Sequence, residues 1–404
     1  MPCKGIYRKR CNLNIGGDNM FNIFLPTKII FGQGSVEHLP DSIKNLGNKA
    51  MIVTGKKSTK QSGLLDRIVS LLKKTDVESV IYDKIQPNPV SNDVDEAAEI
   101  AKKENVKFVI GLGGGSAIDS AKAIALTAAM GGKFWDYVEV GGGKKPDKAL
   151  PVIAIPTTHG TGTEADPFAV ITNPETNEKV GIGYSVIFPK ISIVDPEIMI
   201  TLPKNQTAYT SLDAFYHSLE AFLNIDANPY SDILAIDSMK RIVANLPIAY
   251  RNGADIYART NLAWASTEAG ITETLTGVIA NHAIEHGLSG FHPELPHGLG
   301  LCITGPYLLE YIFDEIRERL AILAHEVFNI DEYNTTTAAR IFIDMLFEFQ
   351  ELFSLNQKLS SLGFKEKELE NIAKVAYRAM KGVVVKTPKK LQENDLLQII
   401  KKAF

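Results

Sequence analysis

Four of the chain's eight histidines fall in one short stretch, NHAIEHGLSGFHPELPHG (281–298): His282, His286, His292 and His297. Imidazoles this dense can hold a transition metal through neutral ring nitrogens. His282 and His286 are four apart, which puts both on one face of a helix. An earlier segment, LDAFYHSLEAF (212–222), reads as a helix and repeats that spacing with Asp213 and His217. A capping aspartate and a packed histidine would look the same in isolation. The two clusters together are harder to explain by packing, because each buried imidazole would need a separate partner. One carboxylate and three imidazoles suit zinc or ferrous iron, with a position left open for substrate. On spacing alone, the choice among the four clustered histidines stays open.

A different chemistry is written in GLGGGSAIDSAK (111–122), which joins the apolar run VKFVIG to a helical pattern. Glycines there let backbone N–H groups approach a phosphate, and the helix N-terminus adds positive potential. Gly111, Gly113 and Ser116 fit the dinucleotide pattern loosely, because Ser116 stands where a glycine would close it. A tight strand-to-helix turn would also use these glycines, but the strand before and helix after favour a phosphate site. The next loop, IPTTHGTGTEAD (155–166), offers Thr157, Thr158 and Thr161 to a pyrophosphate or ribose. By itself that loop reads equally as polar surface.

Strand and helix patterns alternate in the segments that would position these loops. KAMIVTG (49–55), ESVIYDKI (78–85), VKFVIGLGGGS (106–116) and ALPVIAIPTT (149–158) read as strands. Helical spacing runs through 63–74, through 92–105 with an Asn cap, and through 117–130. Continuous apolar strands between helices predict a parallel sheet covered on both faces. From Thr201 onward nearly everything reads as helix, including 231–246, 258–271, 337–353 and 393–404. The expected organisation is a nucleotide-binding α/β domain over 20–199 and an all-α, metal-binding domain over 200–404. Residues 1–19 are basic and irregular, and are expected to be a disordered extension or to precede a true start at Met20.

Bulk properties narrow the setting. The 404 residues allow two ordinary domains, and 45% hydrophobic with 22% charged residues is a globular balance. A net charge of −4 gives no pull toward nucleic acid or a membrane surface. No apolar run approaches the ~18 residues of a membrane span. Cys3, Cys11 and Cys302 make neither a disulfide framework nor a thiolate metal site, so a cytoplasmic setting is expected.

Taken in order, GGGSAIDSAKAIA (113–125), PTTHGTGTEA (156–165), VDPEI (194–198), the Asp213–His217 helix, NLPIAYRNGAD (245–255) and TPKKLQENDLLQIIKKAF (387–404) resemble the iron-containing (group III) alcohol dehydrogenases. The resemblance covers nearly the whole chain from Met20 and implies a dehydroquinate synthase-like fold. It implies Asp213, His217, His282 and His297 as metal ligands, with iron expected before zinc. It implies Gly114, Gly115 and Ser116, with Asp119 in the following helix, at the pyrophosphate, and Thr157, Thr158 and Thr161 in a second cofactor loop. Lys179 and Asn88 (in QPNP, 86–89) are implied near the cofactor, and His286 as a non-ligand that assists proton transfer. A homodimer or larger assembly is implied too.

Three departures qualify this. His297 follows His282 by fifteen positions, one more than the family's usual spacing, which leaves His292 as a competing ligand. His159 stands where relatives carry a small residue, either idle or close to the nicotinamide. Relatives that prefer NAD tend to carry an acid where Gly55 stands. Its absence, with Lys56, Lys57 and Ser58 following, predicts a preference for NADP(H).

The expected activity is hydride transfer between NAD(P)(H) and a small alcohol or aldehyde. The alternatives are a zinc-dependent polyol or glycerol dehydrogenase of the same fold and a non-catalytic nucleotide-binding protein. A lyase of the dehydroquinate-synthase type would need more cationic residues for its phosphorylated substrate.

Overall fold

The computed structural model describes residues 20–404, so the expectation for residues 1–19 lies outside the described residues. The first half builds a six-stranded sheet from β1 (Lys28–Phe31), β2 (Lys49–Gly55), β3 (Glu78–Ile85), β4 (Phe108–Gly113), β5 (Val152–Pro156) and β8 (Ile191–Val194). Their order is β1-β8-β5-β4-β2-β3, and every pairing is parallel. Parallel strands need crossovers, which are supplied by α1 (Leu64–Lys73), α2 (Ser91–Lys103) and α3 (Gly115–Met130).

Alternation along β2 sends its side chains into two cores. Ala50 and Ile52 face one core with Ile68, Phe108 and Ile153, whereas Met51 and Val53 face the other. The second core runs on without a break into the helical half. The sheet is therefore covered on both faces, as its continuous apolar strands require.

Two details differ from expectation. Helix α2 begins at Ser91 without a side-chain cap, because Val90 is extended and bridges Thr172, fixing the start one residue before Asn92. An antiparallel hairpin, β6 (Phe168–Asn173) and β7 (Glu178–Gly183), also lies outside the sequence reading. Its alternation and the turn residues at 174–177 were the available signal, and Asn177 takes φ +54 there.

After β8 the chain is helical: α4 (Lys204–Leu223), α5 (Pro229–Arg251), α6 (Ile256–Thr276), α7 (Ala280–Phe291), α8 (His297–Tyr311), α9 (Phe313–Phe328), α10 (Thr335–Glu351), α11 (Glu366–Ala379) and α12 (Glu393–Ala403). Helices α4, α7 and α8 carry His217, His282, His286 and His297. Among the described residues no helix is long and apolar enough to cross a membrane.

Candidate active site

Sheet order alone locates the cleft. From β2 the chain winds outward to β3, then returns to the other side of β2 as β4 and continues to β5 and β8. The carboxyl ends of β2 and β4 thus flank a topological switch point, where open α/β sheets bind ligands. Gly55 ends β2 and the glycine loop follows β4. Beyond them opens a cavity of about 320 Å³ that runs from Gly115 and Ser116 to His217, His282, His286 and His297.

Backbone builds the near end of this cavity. No side chain caps the N-terminus of α3, so the first N–H groups of that helix face the loop uncapped. A Cβ on Gly115 would lie 2.5 Å from Thr161 Cγ2, and one on Gly114 would lie 3.1 Å from Thr158 Oγ1. The glycine loop and the threonine loop therefore press together as one cradle. Thr157 completes it by donating its N–H to the Gly113 carbonyl at 2.8 Å.

Asp119 works inside this wall. Its carboxylate accepts from Thr163 Oγ1 at 2.6 Å and from the Val170 N–H at 3.0 Å, which ties α3 to the threonine loop and to β6. Beside it the fully buried Lys122 donates to Thr163 Oγ1, to Asp166 Oδ1 and to the Asp166 and Phe168 carbonyls, all within 2.9 Å.

Of the residues expected at the cofactor, Asn88, Gly115, Ser116, Asp119, Thr161 and Lys179 line the cavity, and Gly55, Gly114, Thr157 and Thr158 do not reach its wall. Asn88 takes φ +52 and donates Nδ2 to the Pro293 carbonyl at 2.7 Å, across the cleft. At Gly55 a Cβ would meet nothing nearer than the Ile85 carbonyl at 3.7 Å, so packing does not forbid an acid there.

Side chains build the far end. Asp213 and His217 sit one turn apart on α4, with His217 Nδ1 3.3 Å from Asp213 Oδ1 and 3.0 Å from the Asp213 carbonyl. His282 comes from α7 and His297 opens α8. His217 Nε2 and His282 Nε2 are 3.1 Å apart, and His297 Nε2 is 3.4 Å from Asp213 Oδ1.

The partners of the opposite ring nitrogens assign the tautomers. His217 Nδ1–H donates to the Asp213 carbonyl. His282 Nδ1–H donates to Glu220 Oε1 at 2.7 Å, while Glu220 Oε2 accepts from the Ile279 N–H at 2.8 Å. His297 Nδ1–H donates to Glu285 Oε2. All three Nε2 atoms then carry lone pairs; those of His217 and His282 face each other, that of His297 faces Asp213 Oδ1, and this oxygen is buried with no hydrogen-bond partner. Acceptors packed this closely repel one another unless a cation lies between them, so the donor set fits a divalent metal.

Titration behaviour agrees with neutral donors. Burial, reinforced by His282, drives the His217 imidazole well below its usual range, and burial lowers His282 to about 3. Burial also raises Asp213 well above the carboxylate range, with the nearby Glu285 adding to the effect. A bound cation reverses that last preference by favouring the carboxylate.

The remaining histidines separate cleanly. His286 lines the cavity on α7, and its buried Nδ1 has no partner. His292 turns away from the cluster, lying between Glu294 and Glu368 with its ring centroid 3.9 Å from that of Phe364. His159 is buried away from the cavity and accepts from Arg259 Nη1 at 2.8 Å. Sequence reasoning missed Glu220, Glu273 and Glu285. Glu273 lines the cavity with Oε2 3.6 Å from His217 Nε2.

Comparison with known proteins bears on this arrangement. Residues 26–196 match the family model described as iron-containing alcohol dehydrogenase, and residues 207–404 match that of the C-terminal part of the same family. The chain is 35% identical to the long-chain primary alcohol dehydrogenase AdhA of Thermoanaerobacter ethanolicus, covering 96% of this chain and 99% of that protein. It is 33% identical to the NADH-dependent butanol dehydrogenase A of Clostridium acetobutylicum, covering 95% and 99%. Among solved structures, the alcohol dehydrogenase of an archaeal halo-thermophile from a Red Sea brine pool superposes with a TM-score of 0.92 at 35% identity, covering 95% and 99%. The chain belongs to the iron-containing alcohol dehydrogenase family. It is an oxidoreductase that transfers hydride between a nicotinamide dinucleotide and an alcohol or aldehyde. The butanol dehydrogenase and an NAD-dependent methanol dehydrogenase of Bacillus methanolicus (33% identical over 95% of this chain and 100% of that protein) state NADH or NAD in their names. They give the expected NADP(H) preference no support.

Proposed function

We propose that Asp213, His217, His282 and His297 hold a ferrous ion at the junction of the two halves, and that the glycine and threonine loops seat the dinucleotide beside it. The close approach of the His217 and His282 Nε2 lone pairs, with His297 Nε2 beside the unpartnered Asp213 Oδ1, carries this reading. The metal, when bound, supplies Lewis acidity to the substrate oxygen, and the nicotinamide takes up or delivers the hydride.

The chain's own residues do the rest. The uncapped start of α3, with Gly115 and Ser116, receives the pyrophosphate, and Thr161 closes over it. Asp119 and Lys122 keep that loop in register from behind. His286, which lines the cavity on α7, takes the hydroxyl proton in the oxidative direction, directly or through water, and returns it in the reductive direction. Phe168, Val170, Val278 and Met380 give the cavity an apolar share that excludes water and suits a small unbranched alcohol or aldehyde. A homodimer or larger assembly is proposed from the family resemblance.

Metal analysis of protein purified without oxygen tests the centre. His217→Ala and His297→Ala should lose iron and activity together, and an active, iron-free His217→Ala would defeat the assignment. For the cofactor, the lysines after Gly55 favour NADP(H), since Lys56, Lys57 and Ser58 are exposed and the site has room for an acid it lacks. Catalytic efficiency should be higher with NADPH than with NADH, and Lys56→Ala with Lys57→Ala should narrow that gap. A clear NADH preference in the unmodified enzyme would rule this out.

A further inference from the structure

The ligand atoms of Asp213, His217 and His282 lie within 4.8 Å of one another, and His297, the fourth proposed ligand, belongs to a second such group with Glu285 and His286. The composition of that second group would suit a cation by itself. That place is already taken: Lys179 Nζ lies 3.2 Å from Glu285 Oε2, 3.0 Å from Ser289 Oγ and 3.4 Å from His297 Nδ1. Lys179 reaches it from β7, the hairpin that the sequence reading missed, and both Lys179 and Glu285 are buried.

We propose that Glu285, with Lys179 as its built-in counter-ion, is a positioning residue that grips His297 Nδ1 and so aims His297 Nε2 at Asp213. This rests on the reading that the four-residue group holds a metal. The need for such a grip is local. His297 is the first residue of α8, where the preceding Pro296 is extended and no side chain caps the helix. Its ring is 23% exposed, whereas His217 and His282 are 6% and 3% exposed. Packing immobilises those two rings, and His282 is also held by Glu220. His297 has less around it, and Glu285 supplies the missing restraint. A carboxylate on the far nitrogen fixes tautomer and orientation and raises the basicity of the coordinating nitrogen. Without Lys179, that buried carboxylate would carry an uncompensated charge.

The test uses the full-length protein, zinc affinity measured against a chromogenic chelator, and the cobalt(II) ligand-field spectrum. E285A should bind zinc about 10–100-fold more weakly and shift the cobalt bands. E285Q keeps an acceptor oxygen for Nδ1–H but leaves the Lys179 charge unpaired, so K179M/E285Q, which carries neither charge, should recover most of the affinity. K179M should melt below the wild type, and K179M/E285Q should regain part of the loss, because the unpaired charge is gone. Should E285A fail to fold, E285D, which withdraws the acceptor by one methylene, takes its place and should also weaken zinc binding. Wild-type affinity and an unchanged cobalt spectrum in E285A overturn the proposal. So does a K179M/E285Q that folds but binds as weakly as E285A, because a neutral acceptor without a stranded charge would then not hold His297. His217→Ala separates the two readings: zinc retained there defeats the metal centre itself, whereas zinc lost there but kept in E285A defeats only the grip of Glu285 on His297.

Discussion

The two ends of the cavity are made of different material. At the cofactor end the working surface is backbone: the uncapped start of α3 and two loops pressed together through Gly114 and Gly115. At the metal end it is side chains drawn from α4, α7 and α8, each steadied by a partner on its far nitrogen. A backbone site tolerates changes in side-chain chemistry and fails when volume is added. A side-chain site tolerates neighbouring volume and fails when one partner is lost. Away from the cavity, His159 ties the threonine loop to the helical half, since it receives a hydrogen bond from Arg259 of α6 and lies 3.3 Å from Ser211 Oγ of α4.

The two ends should differ most sharply at the ligands. His217→Ala should abolish metal retention and turnover while leaving cofactor binding, read by nicotinamide fluorescence titration, close to wild type. If cofactor binding collapses as well, the two ends are not separable. Glu220→Ala comes next, with metal affinity expected to fall about 10–100-fold by chelator competition. Glu220 also accepts the Ile279 N–H at the start of α7, so Glu220→Gln should retain more affinity than Glu220→Ala.

The tie that His159 makes between the threonine loop and the helical half is tested by acid. Burial lowers His159 to about 3, with Arg259 adding repulsion, whereas an unfolded histidine titrates near 6.5. The folded state therefore favours neutral His159, and the stability this contributes is complete above pH 6.5 and is lost as pH falls toward 3. The loss is about 1.4 kcal/mol per pH unit in that window, or about 2 kcal/mol between pH 7 and pH 5. Denaturant midpoints should fall more steeply with acid in the metal-loaded wild type than in metal-loaded His159→Gln, and equal slopes would refute the assignment. The smallest effect is at the backbone end. Gly115→Ala must displace Thr161, and should raise the KM for cofactor by roughly tenfold, or about 1.4 kcal/mol, without changing metal content.

Legibility in the sequence follows the same division. The loops were readable because strand, glycines and helix are contiguous, and the parallel sheet followed from apolar runs that β2, β4 and β5 reproduce. Asp213 and His217 were readable as a pair because helical spacing is local. Glu220 was not, although it lies one turn beyond His217, because its partner His282 is 62 positions away. Lys179 was expected at the cofactor, and its tie to Glu285, 106 positions on, depends on a hairpin that short alternating strands announce only weakly. His292 lost its candidacy to tertiary structure, since Phe364 and Glu368 arrive from the far end of the chain.

The hydrogen bond from Asn88 to the Pro293 carbonyl has a kinetic side. It joins the sheet half to the loop between α7 and α8 at the mouth of the cavity. A bond of this kind contributes about 1 kcal/mol net, which biases a gate by roughly fivefold. Asn88→Ala should therefore change the rate of dinucleotide exchange by no more than about fivefold.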